Sequence, residues 1–553
     1  MADKSTVRSD DLRKSLKVTN GTTLRELMGK ILKDDTSDVV AAYVNNESTS
    51  LDYIINNDVT VRYMTTKDTE GRRVYVRTFV LMLYAAINEL YPGAKLKVNF
   101  SVGDGLFFSI DGFDPVKDLS PHLKRRIRQI IAEDIEIKHI LVYCEEARKL
   151  FEKEKLYDKL SLIENRKRLY YNVDVLAEHY GYLYGTTGDR TSIIKEFDIV
   201  RFMNGYILVL PDRTDSGLSY AIDATKLKMY ELFLQFKDWQ DLQHLPNMGS
   251  LNRAIKEGRS DEIIKISEAR QEKVLAHMAD DVMDNIRQGV KLILISGPSS
   301  SGKTTFSKKL NIQLRVFGIT PIIISMDDYF VERDNTPLDE NGEKDYDNIA
   351  AVDVELFQEH LIQLLDGEEV SMPTYNFITG KREYNGHYLK MEDRSVIIVE
   401  GIHALNPVIS SHIDRNLIYK LYVSALTSIS MDDTTYFSTT DNRLLRRIVR
   451  DAKYRNRSCE ETLRWWAGVR RGEDKYIFPF QNEADKLFSS ALLYEINVLK
   501  GLAEPLLLEV PSTAPEYAEA SRLLNILSYL SPIDIDLVPP SSLLREFVGG
   551  SSY

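Results

Sequence analysis

Eight consecutive residues, Gly297-Pro298-Ser299-Ser300-Ser301-Gly302-Lys303-Thr304, set two glycines, a lysine and a hydroxyl at the spacing of a phosphate-binding loop. Glycines let the backbone turn its N–H groups onto a phosphate, and the start of a helix adds positive partial charge. Lys303 reaches the terminal phosphates, Thr304 offers an oxygen to magnesium, and Thr305 continues the same nucleotide-binding surface. An ordinary Gly/Ser turn is the plain alternative. The flanking text argues against it, because Leu292 to Ile295 is an apolar run of buried-strand type and Phe306 to Phe317 reads as a helix. A nucleotide with Mg2+ is therefore the expected ligand.

Four further constellations follow in the same half. Ser325-Met326-Asp327-Asp328-Tyr329-Phe330 comes directly after the apolar run Ile322 to Ile324, so its carboxylates emerge at a strand end, where open α/β sheets bind ligands. Asp327 there either accepts the proton of an attacking hydroxyl or caps a turn. Val396-Ile397-Ile398-Val399-Glu400-Gly401 is an apolar strand closing on an acid that can hold magnesium-bound water, which makes Thr304 and Glu400 the expected metal pair. Met372-Pro373-Thr374-Tyr375-Asn376-Phe377 with Lys381-Arg382 is an aromatic and basic loop suited to stacking an acceptor. Asp441 to Asp451, followed by Arg455 and Arg457, is rich in arginine, and on a helix Arg443, Arg447 and Arg450 share one face. Phosphoryl transfer calls for such charge, since its transition state spreads negative charge over equatorial oxygens. A solvated basic helix is the other reading.

These groups converge only if strands deliver them to one edge. Apolar runs at Leu292 to Ile295, Ile322 to Ile324, Val396 to Val399 and Leu417 to Val423 alternate with helical segments, the pattern of an α/β fold with a parallel, doubly wound sheet. A chain of 553 residues predicts several domains. Residues 1–75 read as a loose polar tail to about residue 20 followed by a small α+β module. Residues 76–235 read as a second α+β domain, with a helix from Phe79 to Leu90 and tyrosine-rich strands between glycine turns over 157–212. Residues 236–289 read as a helical connector, 290–510 as the nucleotide-handling domain, and 511–553 as a helical extension ending in a frayed tail.

Bulk properties narrow the classes. No apolar stretch approaches the roughly 20 residues that span a bilayer, and Met1-Ala2-Asp3-Lys4-Ser5 lacks the apolar core of a signal peptide, so a cytoplasmic chain without a membrane partner is expected. Cys144 and Cys459, far apart, imply neither a disulfide framework nor a zinc site and read as core thiols. A net charge of −12 argues against a generally basic nucleic-acid binder. The cluster Lys124, Arg125, Arg126 and Arg128 is open to two readings, an RNA patch or a solvated helix face.

The ordered set of motifs between about 290 and 505 resembles the uridine-cytidine kinase family, kin of phosphoribulokinase. On that resemblance Asp327 is the base that activates a nucleoside 5′-hydroxyl, Asp347 in Tyr346-Asp347-Asn348 holds the ribose, and Tyr375 stacks the acceptor. The family's Arg-Arg-x-x-Arg-Asp lid helix matches Arg446, Arg447, Arg450 and Asp451, and Arg455-Asn456-Arg457 stands where the family has Arg-Gly-Arg. The implied sets are Asp327, Lys303, Arg447 and Arg450 for catalysis, residues 297 to 305 with Arg443 and Arg455 for ATP, and Asp347, Tyr375, Arg382, Arg447 and Arg457 for the acceptor. The implied reaction moves the γ-phosphate of ATP to a uridine- or cytidine-like nucleoside. The alternatives are another small alcohol as acceptor, or an RNA- or tRNA-associated NTPase. Departures fall on the acceptor side: Gly380 stands where the family has a base-reading His, Trp465 near where it has a Gln, Asn376 replaces an Asp, and an extra segment, about Ser424 to Thr440, precedes the lid helix.

Residues 15 to 235 resemble the front of threonyl-tRNA synthetases, a ubiquitin-like TGS module and an editing-type domain. The phrases Ala85-Ala86-Ile87-Asn88-Glu89-Leu90-Tyr91-Pro92, Gly105-Leu106-Phe107-Phe108 and Phe202-Met203-Asn204-Gly205-Tyr206 carry it. Arg77-Thr78 and Leu81 stand where that family places its histidines, and Tyr180 to Asp189 holds neither Cys nor His, so hydrolytic editing is not expected. His179 reads as a packing or surface histidine. Binding, regulation or assembly is implied for this half, with RNA or self-association into a homo-oligomer as the partner classes.

Overall fold

The computed structural model describes residues 3–9, 14–32, 36, 38–102, 105–113, 117–166, 168–211, 218, 224–339, 342–427 and 429–553. Five parallel strands form the C-terminal sheet in the spatial order Thr320–Ser325, Ser395–Glu400, Leu292–Ser296, Ile418–Ser424 and Lys486–Ser489. The strand that feeds the phosphate loop is thus central, and all of its residues are buried. It has no polar alternation because helices cover both faces of the sheet. Its side chains still alternate with the pleat: Ile293 and Ile295 join Phe306, Leu310 and Leu314 of helix Lys303–Val316, whereas Leu292 and Leu294 join Phe357 and Leu361 of helix Val354–Leu365. Ladder register sets Ile295 beside Glu400 and Glu400 beside Ser325, so the loop, the acid and the carboxylate turn all leave neighbouring strand ends.

The N-terminal half is α+β. A five-stranded sheet runs in the order Lys14–Thr19, Lys4–Ser9, Val59–Thr65, Val39–Val44, Glu47–Thr49, under helix Leu24–Ile31. The expected loose tail is therefore structured: Lys4–Ser9 pairs antiparallel with Lys14–Thr19 and parallel with Val59–Thr65, burying Val7 and Val18 with Leu24 and Leu27. Val7 alone in one strand and Leu16 with Val18 in the other mark that burial, too few for a periodicity to register. Next, helix Thr69–Leu90 packs on a four-stranded sheet that contains the antiparallel pair Lys95–Val102 and Gly105–Asp111. The stretch read as strands from 157 onward opens instead with helix Tyr157–Ile163 before strands Tyr170–Leu176, His179–Gly181, Asp198–Phe202 and Gly205–Val209. Leu160 and Leu162 alternate like a strand, and their packing decided otherwise. The connector is helical, as Ala224–Leu242, Met248–Lys256 and Ser260–Arg287.

Two surface readings resolve. Arg126 pairs with Glu89 and Glu133, Lys124 pairs with Asp198, and Arg128 lies over the Phe197 ring, so three of the four basic side chains are engaged within their own domain. Cys459 is buried as expected, whereas Cys144 is only half-buried. No helix among the described residues is long and apolar enough to cross a membrane.

The extra segment before the lid helix is the joint between the halves. Strands Ser430–Asp432 and Thr435–Tyr436 form a hairpin whose Asp432 accepts from the buried Lys159 ammonium at 2.6 Å, while Val98 N–H donates to the Asp433 carbonyl at 2.7 Å. Just beyond it, Arg522 forks onto Asp441 in the first turn of helix Thr439–Tyr454, and Arg73 of the N-terminal half bonds Glu519. The expected frayed C-terminus is packed as well: Leu543, Leu544, Phe547 and Val548 are fully buried. Its prolines interrupt helices without preventing these four side chains from anchoring.

Candidate active site

The phosphate loop is shaped by its backbone. A side chain at Gly297 would meet the Val423 carbonyl, 2.1 Å from its Cβ position, so glycine is required for the close approach. Ser300 and Gly302 take left-handed φ angles of 59° and 87° and curl the chain into the helix that starts at Lys303. The Ser300 and Ser301 hydroxyls are buried and without a hydrogen-bond partner, groups that a bound anion would satisfy. Lys303 donates to the Pro298 carbonyl at 3.2 Å across the loop. Burial lowers its pKa, and Glu400, Asp327 and Glu546 oppose that.

The carboxylates divide by environment. Glu400, 8% exposed, accepts from Ser325 Oγ at 3.0 Å and from Thr304 Oγ1 at 3.4 Å, so the two residues of the expected metal pair are neighbours. Burial, reinforced by Asp327, pushes its pKa up to about 7. A buried carboxyl beside a hydroxyl is an all-oxygen donor set that fits magnesium. Asp327 sits in the short turn Met326–Tyr329 and keeps one face exposed. Dense protein around the rest of its carboxyl raises its pKa, and Lys303, Arg455 and Arg450 pull it back. Asp328 is differently engaged, accepting from the Tyr375 N–H at 3.2 Å.

The arginine face forms on helix Thr439–Tyr454, started by the Ser438 hydroxyl bonded to Asp441 N–H. Arg443 donates to the Ser299 carbonyl at 2.8 Å and Arg447 to the Ser299 hydroxyl at 3.0 Å, so both reach the loop. Burial, with Arg455 nearby, lowers the Arg450 pKa to about 10. Arg450 and Arg455 flank Asp451, at 3.6 and 3.3 Å, and Arg447 bonds it at 3.3 Å. Asp451, fully buried, is the hub that aims three of these guanidiniums. Arg446, also fully buried, braces the loop from behind through Ser300, Ser490 and Glu495.

On the acceptor side, Tyr375 is buried against Phe330 and Phe377, at ring separations of 5.6 and 5.1 Å. Asp347 packs on helix Cys459–Tyr476 where Gly472 leaves room; a Cβ there would lie 2.6 Å from that of Asp347. Burial and then Glu473 push the Asp347 pKa up to about 7, with Arg447 opposing. Two expected acceptor contacts are otherwise engaged. Arg382 sits opposite Tyr375 in its hairpin but donates to Asp353 at 2.9 Å, and Arg457 lies over the Trp465 ring at 4.2 Å. Gly380 closes that hairpin with φ 71°, where the Arg333 side chain fills the space a Cβ would need, so the turn accounts for the missing histidine.

Sequence reading did not single out Glu473, Glu546 or His403. Glu473 is fully buried, accepts from Ser299 N–H at 3.1 Å and pairs with Arg443 and Arg470. Glu546 accepts from Thr305 N–H at 3.0 Å, 241 residues away. His403 is buried near the Tyr476 ring, and burial lowers its pKa to about 4, which keeps it neutral. Lone acids and a lone histidine carry no spacing signal; Asp451 did, as the last residue of the lid motif.

In the N-terminal half, Arg77 bonds Glu70 and the Thr186 carbonyl, Thr78 bonds Val74 and Gly188, and Leu81 fills the space beside Gly181. His179 lies 3.7 Å from Glu154 and edge-on to Tyr84. No cluster of metal-type side chains occurs among the described residues.

Residues 292–495 match the phosphoribulokinase / uridine kinase family. A uridine kinase of Staphylococcus aureus (strain JH9) is 32% identical over 196 residues, covering 35% of this chain and 84% of that protein. A solved structure described as a possible uridine kinase from Bacillus stearothermophilus aligns at 20% identity with a TM-score of 0.28, over 40% of this chain and 100% of that one. The C-terminal domain is thus a phosphate-loop kinase of a small alcohol, and the chain belongs to the phosphoribulokinase / uridine kinase family.

Proposed function

We propose that residues 290–510 transfer the γ-phosphate of ATP to the 5′-hydroxyl of a ribonucleoside, uridine- or cytidine-like. The observation that carries this is the division of labour between the two adjacent acids: Asp328 is bonded to the Tyr375 backbone, and Asp327 is exposed within the field of Lys303. In the proposed step the acceptor O–H gives its proton to an Asp327 oxygen while the hydroxyl oxygen bonds the γ-phosphorus. The bond from that phosphorus to the β–γ bridging oxygen breaks, and ADP departs with the electron pair. Lys303, Arg447 and Arg450 offset the charge that spreads over the equatorial oxygens. Thr304 and Glu400 would hold magnesium, which when bound would supply further charge neutralisation to the phosphates. Asp347 supports ribose recognition and the Phe330–Tyr375–Phe377 cluster supports stacking. The N-terminal half is proposed as a synthetase-like module for binding or assembly, supported by side chains already engaged where an editing site would need free ones; RNA binding, a homo-oligomer and a cytoplasmic setting belong to the same reading.

The test is ADP production over ribonucleosides, deoxyribonucleosides, sugar phosphates and tRNA. Ribonucleosides should stimulate turnover and 2′-deoxy forms should do so less, because a ribose hydroxyl missing beside Asp347 leaves a buried polar group unpaired. Without a base-reading histidine at Gly380, discrimination between uridine and cytidine should be weak. Stimulation by sugar phosphates alone would move the acceptor to another alcohol, and by tRNA alone would favour the RNA-associated NTPase.

A further inference from the structure

The C-terminal segment reaches the nucleotide site from the far end of the chain. Leu543 packs on Gly302, its Cδ2 2.5 Å from where a Cβ would stand, and Glu546 accepts from Thr305 N–H at 3.0 Å. Gly302, in the N-cap position, has no side chain to satisfy this N–H, so the first turn of the phosphate-loop helix is capped from 241 residues away. The segment is held firmly. Lys453 of the lid helix donates to the Val548 carbonyl at 2.8 Å, Arg446 lies over the Phe547 ring at 4.8 Å, and Arg545 ties the turn through the carbonyls of Ile535, Val538 and Gly549. The Glu546 charge also acts on Lys303, Glu400 and Arg450, so it faces the catalytic charges rather than solvent alone.

Backbone N–H groups at this turn are those that cradle the α- and β-phosphates of a nucleotide. One N–H cannot bond a carboxylate and a phosphate oxygen fully at once, and two anions held there repel. Resting on the kinase reading, we infer that the C-terminal segment is an intrasteric brake: Glu546 stands in for a nucleotide phosphate at Thr305, and ATP seats only as that carboxylate withdraws. Because the segment is fastened to the lid helix through Lys453 and Arg446, its release and the setting of the lid arginines are coupled.

The test is calorimetric binding of MgATP and MgADP to the full chain and to Glu546→Gln, without acceptor. The amide keeps the size and a capping oxygen but removes the charge, so the variant should bind MgATP roughly fivefold tighter or more, the scale of one like-charge contact near water. Hydrogen exchange gives a second readout: MgATP should speed exchange across 543–548, since a ligand that displaces a segment must loosen it. Equal or weaker binding by Glu546→Gln, or added protection of 543–548 by MgATP, would overturn the brake and leave Glu546 a helix cap or a nucleotide contact. No binding of MgATP by either protein would overturn the kinase reading itself, and the brake with it.

Discussion

Lys303→Ala should leave a folded protein whose phosphoryl transfer is reduced on the order of 100- to 1000-fold, the loss usual when one donor to transition-state charge is removed. Lys303 is the cation that opposes Asp327 and Glu400 and spans the loop to Pro298, while the fold rests on the apolar faces of the central strand and its helix. Steady-state ADP production beside a thermal melt checks both halves of the expectation. Turnover close to the parent would remove the phosphate loop from the account, and a collapsed melt would give Lys303 a structural task that its contacts do not indicate.

The second large effect separates neighbours. Asp327→Asn should retain MgATP binding and lower turnover by about 100- to 10000-fold, the contribution of a positioned general base. Asp328→Asn should act differently, because its carboxylate accepts the Tyr375 N–H and so places the aromatic loop. An amide oxygen can still accept that bond, and the expected change is in acceptor KM more than in kcat. Measured kcat and KM for both variants decide it: a silent Asp327→Asn beside a damaging Asp328→Asn would shift the base by one residue.

What could be read in advance followed spacing. The loop, the strand-end acids and the arginine face were legible because each has a fixed offset from an apolar strand or a helical period, and ladder register then brings Ile295, Glu400 and Ser325 abreast. Groups that act from a distance were not legible. Glu473 and Glu546 reach the loop across 174 and 241 residues, and nothing local marks either. Arg382 and Arg457 have the right chemistry for an anionic or stacked acceptor, yet Asp353 and Trp465 take them up, a choice made by tertiary neighbours. Both chain ends were read as loose from polarity and proline content. Val7 and Val18 at one end and Leu543 to Val548 at the other show that a few well-placed apolar side chains suffice to dock a terminus.

The proposed transfer stands or falls on where the γ-phosphate goes. With γ-labelled MgATP and uridine or cytidine, product analysis should find the label on the 5′-oxygen of the nucleoside monophosphate, in step with ADP formation and lost in Asp327→Asn. Label found only in inorganic phosphate, or transferred to none of the nucleosides offered, would contradict it.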